Sequence, residues 1–337
     1  MSCSKIFLGD LPELTYEIIK YFQNDYSTLY SCIFVNRLWC RLAIPLLWEN
    51  PFSIRTGNYD FIEIYLYNNL NNDLKLYEYK TINNSLLPTN TLFNYPSFLK
   101  YLNTYKLYTS VDKWFCSAIR NSKFGIGTDR YDHVKRLVHM SLFKIFIESE
   151  VNLHTLEIEA LSIYDKASFN EILDEITILQ KINLIESIEQ SLNYLIINIC
   201  EDSAIYSSII LENLGQILPS KLDYVNLSFI IKDSYFRVFL ENSQYIFINK
   251  FLIKLKRGSD DILHYIKEYI MKEKRVKYLV IQDNNKRELF YLKDEVKEFE
   301  LHNIIVRRHS DLVIDFDDLI WNIEKKDIWL IILNIDE

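Results

Sequence analysis

The chain has 337 residues, of which only 6 are Gly and 6 Pro, while 49% are hydrophobic and 15% aromatic, with 24 Tyr and 20 Phe. So many aromatics at a net charge of only -8 exclude a disordered chain, and so few glycines leave little material for phosphate-cradling loops. Length and apolar content point to a well-cored protein of two domains.

The residues from Met1 to Leu14 show no long apolar run with a small-residue cleavage site, so the start does not read as a secretory signal. The five cysteines, Cys3, Cys32, Cys40, Cys116 and Cys200, are odd in number and widely spaced. That pattern suits free thiols better than disulfides or a zinc site. No stretch reaches the ~18 apolar residues of a membrane span, and the longest candidates are short, such as Trp329 to Ile335. The expected location is cytoplasmic or nuclear. Asn occurs 28 times, and with Ile, Lys and Tyr it reflects AT-rich codons. No function is assigned to clusters such as Asn68-Asn69 or Asn83-Asn84.

Three short helices are expected between residues 10 and 48. Asp10 is placed to cap the first, Pro12 suits its first turn, and Leu11, Leu14, Ile18 and Phe22 form one apolar stripe. A second helix is expected near Ser27 and a third near Asn36, the latter disrupted at Pro45. A unit this small buries little by itself and must dock onto a partner, onto the rest of the chain, or both.

The residues Leu11-Pro12-Glu13-Leu14, then Ile18-Ile19 and Leu29, then Val35-Asn36-Arg37-Leu38-Trp39, resemble an F-box. Ile44-Pro45-Leu46-Leu47-Trp48 is similar to the continuation common in fungal F-box families. The resemblance covers about 45 of the 337 residues and assigns an F-box to residues 5–50. It implies docking on the Skp adaptor of a Skp–cullin–F-box ubiquitin ligase and, through it, on cullin. Carried over by position, the adaptor contacts would be Leu11, Pro12, Leu14, Ile18, Val35, Trp39 and Leu42. Some of these must instead hold the helices together, and the sequence does not divide the two roles.

Residues 51–130 read as a helical and loop connector punctuated by Pro88 and Pro96. Beyond it an apolar triplet φ-x-x-φ-x-φ recurs at Leu153-Leu156-Ile158, Leu173-Ile176-Ile178, Leu192-Leu195-Ile197, Leu222-Val225-Leu227, Ile248-Phe251-Ile253, Val276-Leu279-Ile281 and Val296-Phe299-Leu301. Its spacing falls in or near the range of leucine-rich repeats, which need stacked neighbours to bury one strand face. Such repeats are common behind F-boxes. The expected fold is therefore α/β, a three-helix F-box followed over residues 131–337 by an irregular leucine-rich-repeat-like solenoid. A non-repetitive α/β or α-helical domain is the alternative.

Enzyme signatures are missing. Gly125-Ile126-Gly127 lacks the third glycine of a dinucleotide loop, because Arg130 stands there. Ser97-x-x-Lys100 and Ser141-x-x-Lys144 lack their companion motifs. His133 and His139 are six apart, which does not suit one helical face for a metal. The run from Lys272 to Lys277 reads as a solvated helix end or loop. Residues 310–337 carry eight acids and two bases; Asp315-x-Asp317-Asp318 lacks the glycine and distal Glu of a calcium loop and reads as a helix N-terminus. No basic field suits a nucleic acid. The expectation is a non-catalytic substrate receptor that uses no metal, cofactor, nucleic acid or membrane and binds a target protein through its later domain. An F-box scaffold acting outside the ligase is the alternative.

Overall fold

The computed structural model describes residues 11–23, 25–54, 59, 61–70, 92–121, 128–160, 175–199 and 204–314. Asp10, Gly125-Ile126-Gly127, Leu173, the Asn83-Asn84 pair and Asp315-x-Asp317-Asp318 lie outside the described residues. The chain is mixed α/β and divides into two compact units. One takes in residues 11–101 and 106–151, the other residues 102–105 and 152–314.

The first unit opens with three helices, α1 (Pro12–Tyr21), α2 (Tyr26–Cys32) and α3 (Arg37–Leu47). Leu11 is the N-cap of α1 and gives no side-chain cap. Pro12 occupies the first turn, where its missing N–H leaves one fewer donor to satisfy. Asp25 caps α2 by accepting from Thr28 N at 3.1 Å and Thr28 Oγ1 at 2.6 Å. Asn36 caps α3 by accepting from Trp39 N at 3.0 Å. Pro45 does not end α3, which runs on to Leu47. Pro45 gives up only one backbone donor there, and Trp48 N still reaches Ile44 O at 3.1 Å.

The remainder of this unit is α4 (Phe61–Leu70), a 3₁₀ turn at Tyr95–Phe98, α5 (Thr104–Asn121) and α6 (Thr128–Glu148). Its core is aromatic. The fully buried Trp48 lies 5.2 Å from Tyr65 edge-on and 4.3 Å from Tyr95. Phe52 stacks on Tyr65 at 5.8 Å, and Phe146 meets Tyr65 at 5.6 Å. Two buried polar groups find partners here: Trp114 Nε1 donates to Glu63 at 3.2 Å, and Lys135 donates to Tyr108 at 2.7 Å and pairs with Asp112. The Ser-x-x-Lys pairs serve local structure. Ser97 Oγ donates to Asn94 O, Lys100 pairs with Glu49, and Lys144 pairs with Glu148.

The second unit is built on a seven-stranded sheet whose spatial order is its chain order. Its strands are β1 (Tyr101–Asn103), β2 (Thr155–Ala160), β3 (Tyr194–Ile199), β4 (Lys221–Phe229), β5 (Phe247–Leu255), β6 (Val276–Gln282) and β7 (Ile305–Val306). Every step from β2 to β7 is parallel. The crossovers carry α7 (Glu175–Ser187), α8 (Ala204–Ile217), α9 (Asp233–Asn242), α10 (Leu263–Tyr265, running into a π-turn Ile266–Met271) and α11 (Lys293–Leu301). Sequential parallel strands with right-handed crossovers keep their connecting helices on one face of the sheet.

The register brings the apolar triplets side by side. Leu156, Leu195, Val225, Phe251, Leu279 and Val306 form one row, and Ile158, Ile197, Leu227, Ile253 and Ile281 the next. All are buried except the half-buried Ile281. The steps along the first row are 39, 30, 26, 28 and 27 residues. Two triplets are corrected: Ile176 and Ile178 lie in α7, and Val296-Phe299-Leu301 lies in α11. Within the run from Lys272 to Lys277, Arg275 is buried and donates from Nη1 to Leu240 O at 3.2 Å. Part of that run is therefore core, not solvated loop.

Candidate functional site

The inner face of α1 is Thr15 and Ile19, both fully buried. Thr15 tolerates that position because its hydroxyl donates to Leu11 O at 2.9 Å. Of the expected apolar stripe, Leu14 is turned outward, while Leu11, Ile18 and Phe22 are half-buried. Leu14 is 44% exposed, Ile18 half-buried and Tyr21 87% exposed. Their spacing, i, i+4 and i+7, makes one continuous apolar line along the helix.

The turn between α2 and α3 adds Phe34 at 56% and Val35 at 46% exposure. Pro12 is exposed, while Leu11 and Leu42 are half-buried. Trp39 is different: it is buried with Ala43, Leu46 and Leu47 on the inner face of α3. Of the seven residues carried over from the resemblance, Pro12, Leu14 and Val35 are the most outward and Trp39 is internal. Tyr21 and Phe34 belong to the exposed apolar surface and were not singled out from sequence. Their signal was only an aromatic at i+7 from Leu14 and one next to Val35.

The helices are held from behind. Burial, and then neighbouring Tyr30, pushes the Tyr26 hydroxyl well above its ordinary value of 10. Burial, and then Tyr26, does the same to Tyr65 of α4. These phenols stay neutral and serve as packing.

The second unit offers the sheet face opposite the crossover helices. It carries the rows Thr155, Tyr194, Tyr224, Lys250, Tyr278 and Glu159, Asn198, Ser228, Lys254, Gln282. Tyr194 stacks on Tyr224 with ring centroids 6.1 Å apart, and His154 lies 5.0 Å from Tyr194. Thr155, Tyr224, Ser228 and Gln282 of these rows are buried and the others half-buried, so this face is largely covered. Among the described residues, no three His, Cys, Asp or Glu gather as a metal-binding group, and no helix is long and apolar enough to cross a membrane. No protein-family model, curated protein or solved structure matches the chain.

Proposed function

We propose that the chain is a substrate receptor of a Skp–cullin–F-box ubiquitin ligase, with α1 to α3 as the F-box and the second unit as a degenerate leucine-rich-repeat-like solenoid that holds a target protein. The observation that carries this reading is the outward apolar line Leu14, Ile18, Tyr21, joined by Phe34 and Val35. A helix that turns Leu14 and Tyr21 to water, while Thr15 and Ile19 face inward, is built to insert into a partner's groove. The solenoid reading rests on chain-order parallel strands and on the aligned apolar rows. The chain itself carries out no chemistry in this scheme and contributes proximity between the ligase and its target.

The test is co-purification of the full chain with a Skp-type adaptor, comparing wild type with Leu14→Asp plus Val35→Asp. Both sites are exposed, so melting behaviour stays near wild type. Recovery of adaptor falls at least about tenfold, the loss expected for two central apolar contacts. Equal recovery of adaptor by both proteins, or none by wild type, overturns the assignment. Adaptor bound without cullin would point to an F-box scaffold outside the ligase.

A further inference from the structure

Parallel strands joined by helical crossovers place every loop that enters a strand at one edge of the sheet, the amino ends. In the second unit the loops entering β4 to β7 lie side by side at this edge. Phe247 N donates to Ser220 O at 2.8 Å, and Ile248 N donates to Arg275 O at 2.9 Å. Lys221 of β4 is the register partner of Phe247 of β5. The loop entering β7 follows on the far side of β6, where Tyr278 pairs with Ile305.

This edge combines exposed apolar side chains with exposed lysines. Tyr245 and Phe247, at the entry to β5, are 84% and 38% exposed, and Leu301, at the end of α11, is 82% exposed. Large apolar groups left in water on one edge mark an interaction surface. Among them stand Lys221 at the start of β4, Lys272 and Lys274 in the turn before β6, and Lys277 just inside that strand, all exposed. The turn is fixed from within. Arg275 is only 8% exposed and donates from Nη1 to Leu240 O of α9 at 3.2 Å, while its backbone N–H reaches Ile270 O at 3.3 Å. With Arg275 pinned inward, Lys272, Glu273 and Lys274 face water. Exposed Glu273 and Glu300 lie between the lysines and Leu301. Such a mixed edge repels part of any uniformly negative polymer or membrane. It favours a segment whose charges and apolar groups are spaced to match.

We propose that the amino-end edge of β4 to β7 docks an extended segment of the target protein, with acidic residues set against the lysines and apolar residues seated on Tyr245, Phe247 and Leu301. The form of the segment follows from the form of the edge, which presents its exposed groups loop after loop across neighbouring strands. Three strand steps of about 4.8 Å span about 14 Å, the length of roughly four to five extended residues. Its acidity follows from the lysines, which are the majority charge along that line. This rests on the receptor reading and names the chemistry of the target. Its test involves no adaptor, so failure here leaves the F-box assignment standing.

The probe is a library of short random peptides displayed on phage and selected on the full wild-type chain. The selected peptides are enriched in Asp and Glu spaced by apolar residues. As synthetic peptides they bind a chain carrying Tyr245→Ser, Lys272→Glu and Lys274→Glu at least about tenfold more weakly, the loss expected when central contacts go. All three positions are exposed, so melting stays near wild type. A second variant, Lys221→Glu plus Lys277→Glu, leaves the turn before β6 unaltered and loses binding likewise. A control with Lys293→Glu plus Lys297→Glu, both exposed on α11, binds the peptides as wild type does. Phosphatidylserine vesicles and an oligothymidine strand do not displace them. Selection of no peptide, selection of basic or uncharged peptides, equal binding by wild type and either edge variant, or displacement by the vesicles or the oligonucleotide overturns the proposal.

Discussion

At the scale of single residues, Lys181 is the group most at odds with its surroundings. It sits on α7 at 4% exposure, and burial lowers its pKa from 10.5 to about 8. A lysine lowered in the fold binds its proton more weakly there than in the unfolded chain. At pH 7 both states are charged, and the fold bears the full cost of burying that charge. As pH rises from about 8 toward 10.5 the folded protein is neutral first, so stability increases across that window. The full gain is about 3 kcal/mol from the size of the shift. Lys181→Met removes the charge and keeps the length. It raises the urea midpoint at pH 7, and the gap between variant and wild type closes as pH approaches 10. A gap that is constant with pH would show that Lys181 is paired or wet.

At the scale of elements, α8 crosses α9 closely at Gly215. A Cβ at Gly215 would lie 2.6 Å from Phe239 O and 2.9 Å from Asn242 Cβ. The first of these is backbone, which cannot swing aside. Gly215→Ala gains up to about 1 kcal/mol of helix propensity but forces the helices apart, at a cost of about 1–3 kcal/mol. The net is a lower urea midpoint with an unchanged slope, while exposed Gln216→Ala on the same helix is neutral. Elements also show what the sequence could reveal. The starts of α2 and α3 were legible within a residue, because Asp25, Asn36 and the apolar residues after them act locally. The strand rows were legible where a triplet fell on a strand. Val296-Phe299-Leu301 misled because its first step, i to i+3, is also a helical neighbour, and Phe299 is indeed buried on α11. The inward face of α1 was not legible, because a buried threonine satisfied by Leu11 O looks polar in sequence.

At the scale of the whole molecule, the question is how far the three N-terminal helices stand alone. Helices of 10, 7 and 11 residues are each below the length that is stable in isolation. Their exit is where they gain support. Trp48 follows α3 directly and is enclosed by Phe61 and Tyr65 of α4 and by Tyr95. Phe52 and Phe146 extend the same cluster to α6. Lys100 N and Tyr101 N both donate to Glu49 O, at 2.9 and 3.0 Å. The helices are thus the first layer of a larger core, and the exposed apolar residues of α1 stand on that support. Trp48→Ala opens a cavity at the joint and costs about 3–5 kcal/mol. Hydrogen exchange of this variant loses protection together in α1 to α4 and in α6, because one aromatic core serves them all. Under the proposed adaptor docking, recovery of adaptor by this variant falls although no residue of the stripe is altered. Loss confined to α3, with α4 and α6 as protected as in wild type, would mean that the helices form a module with a stability of their own.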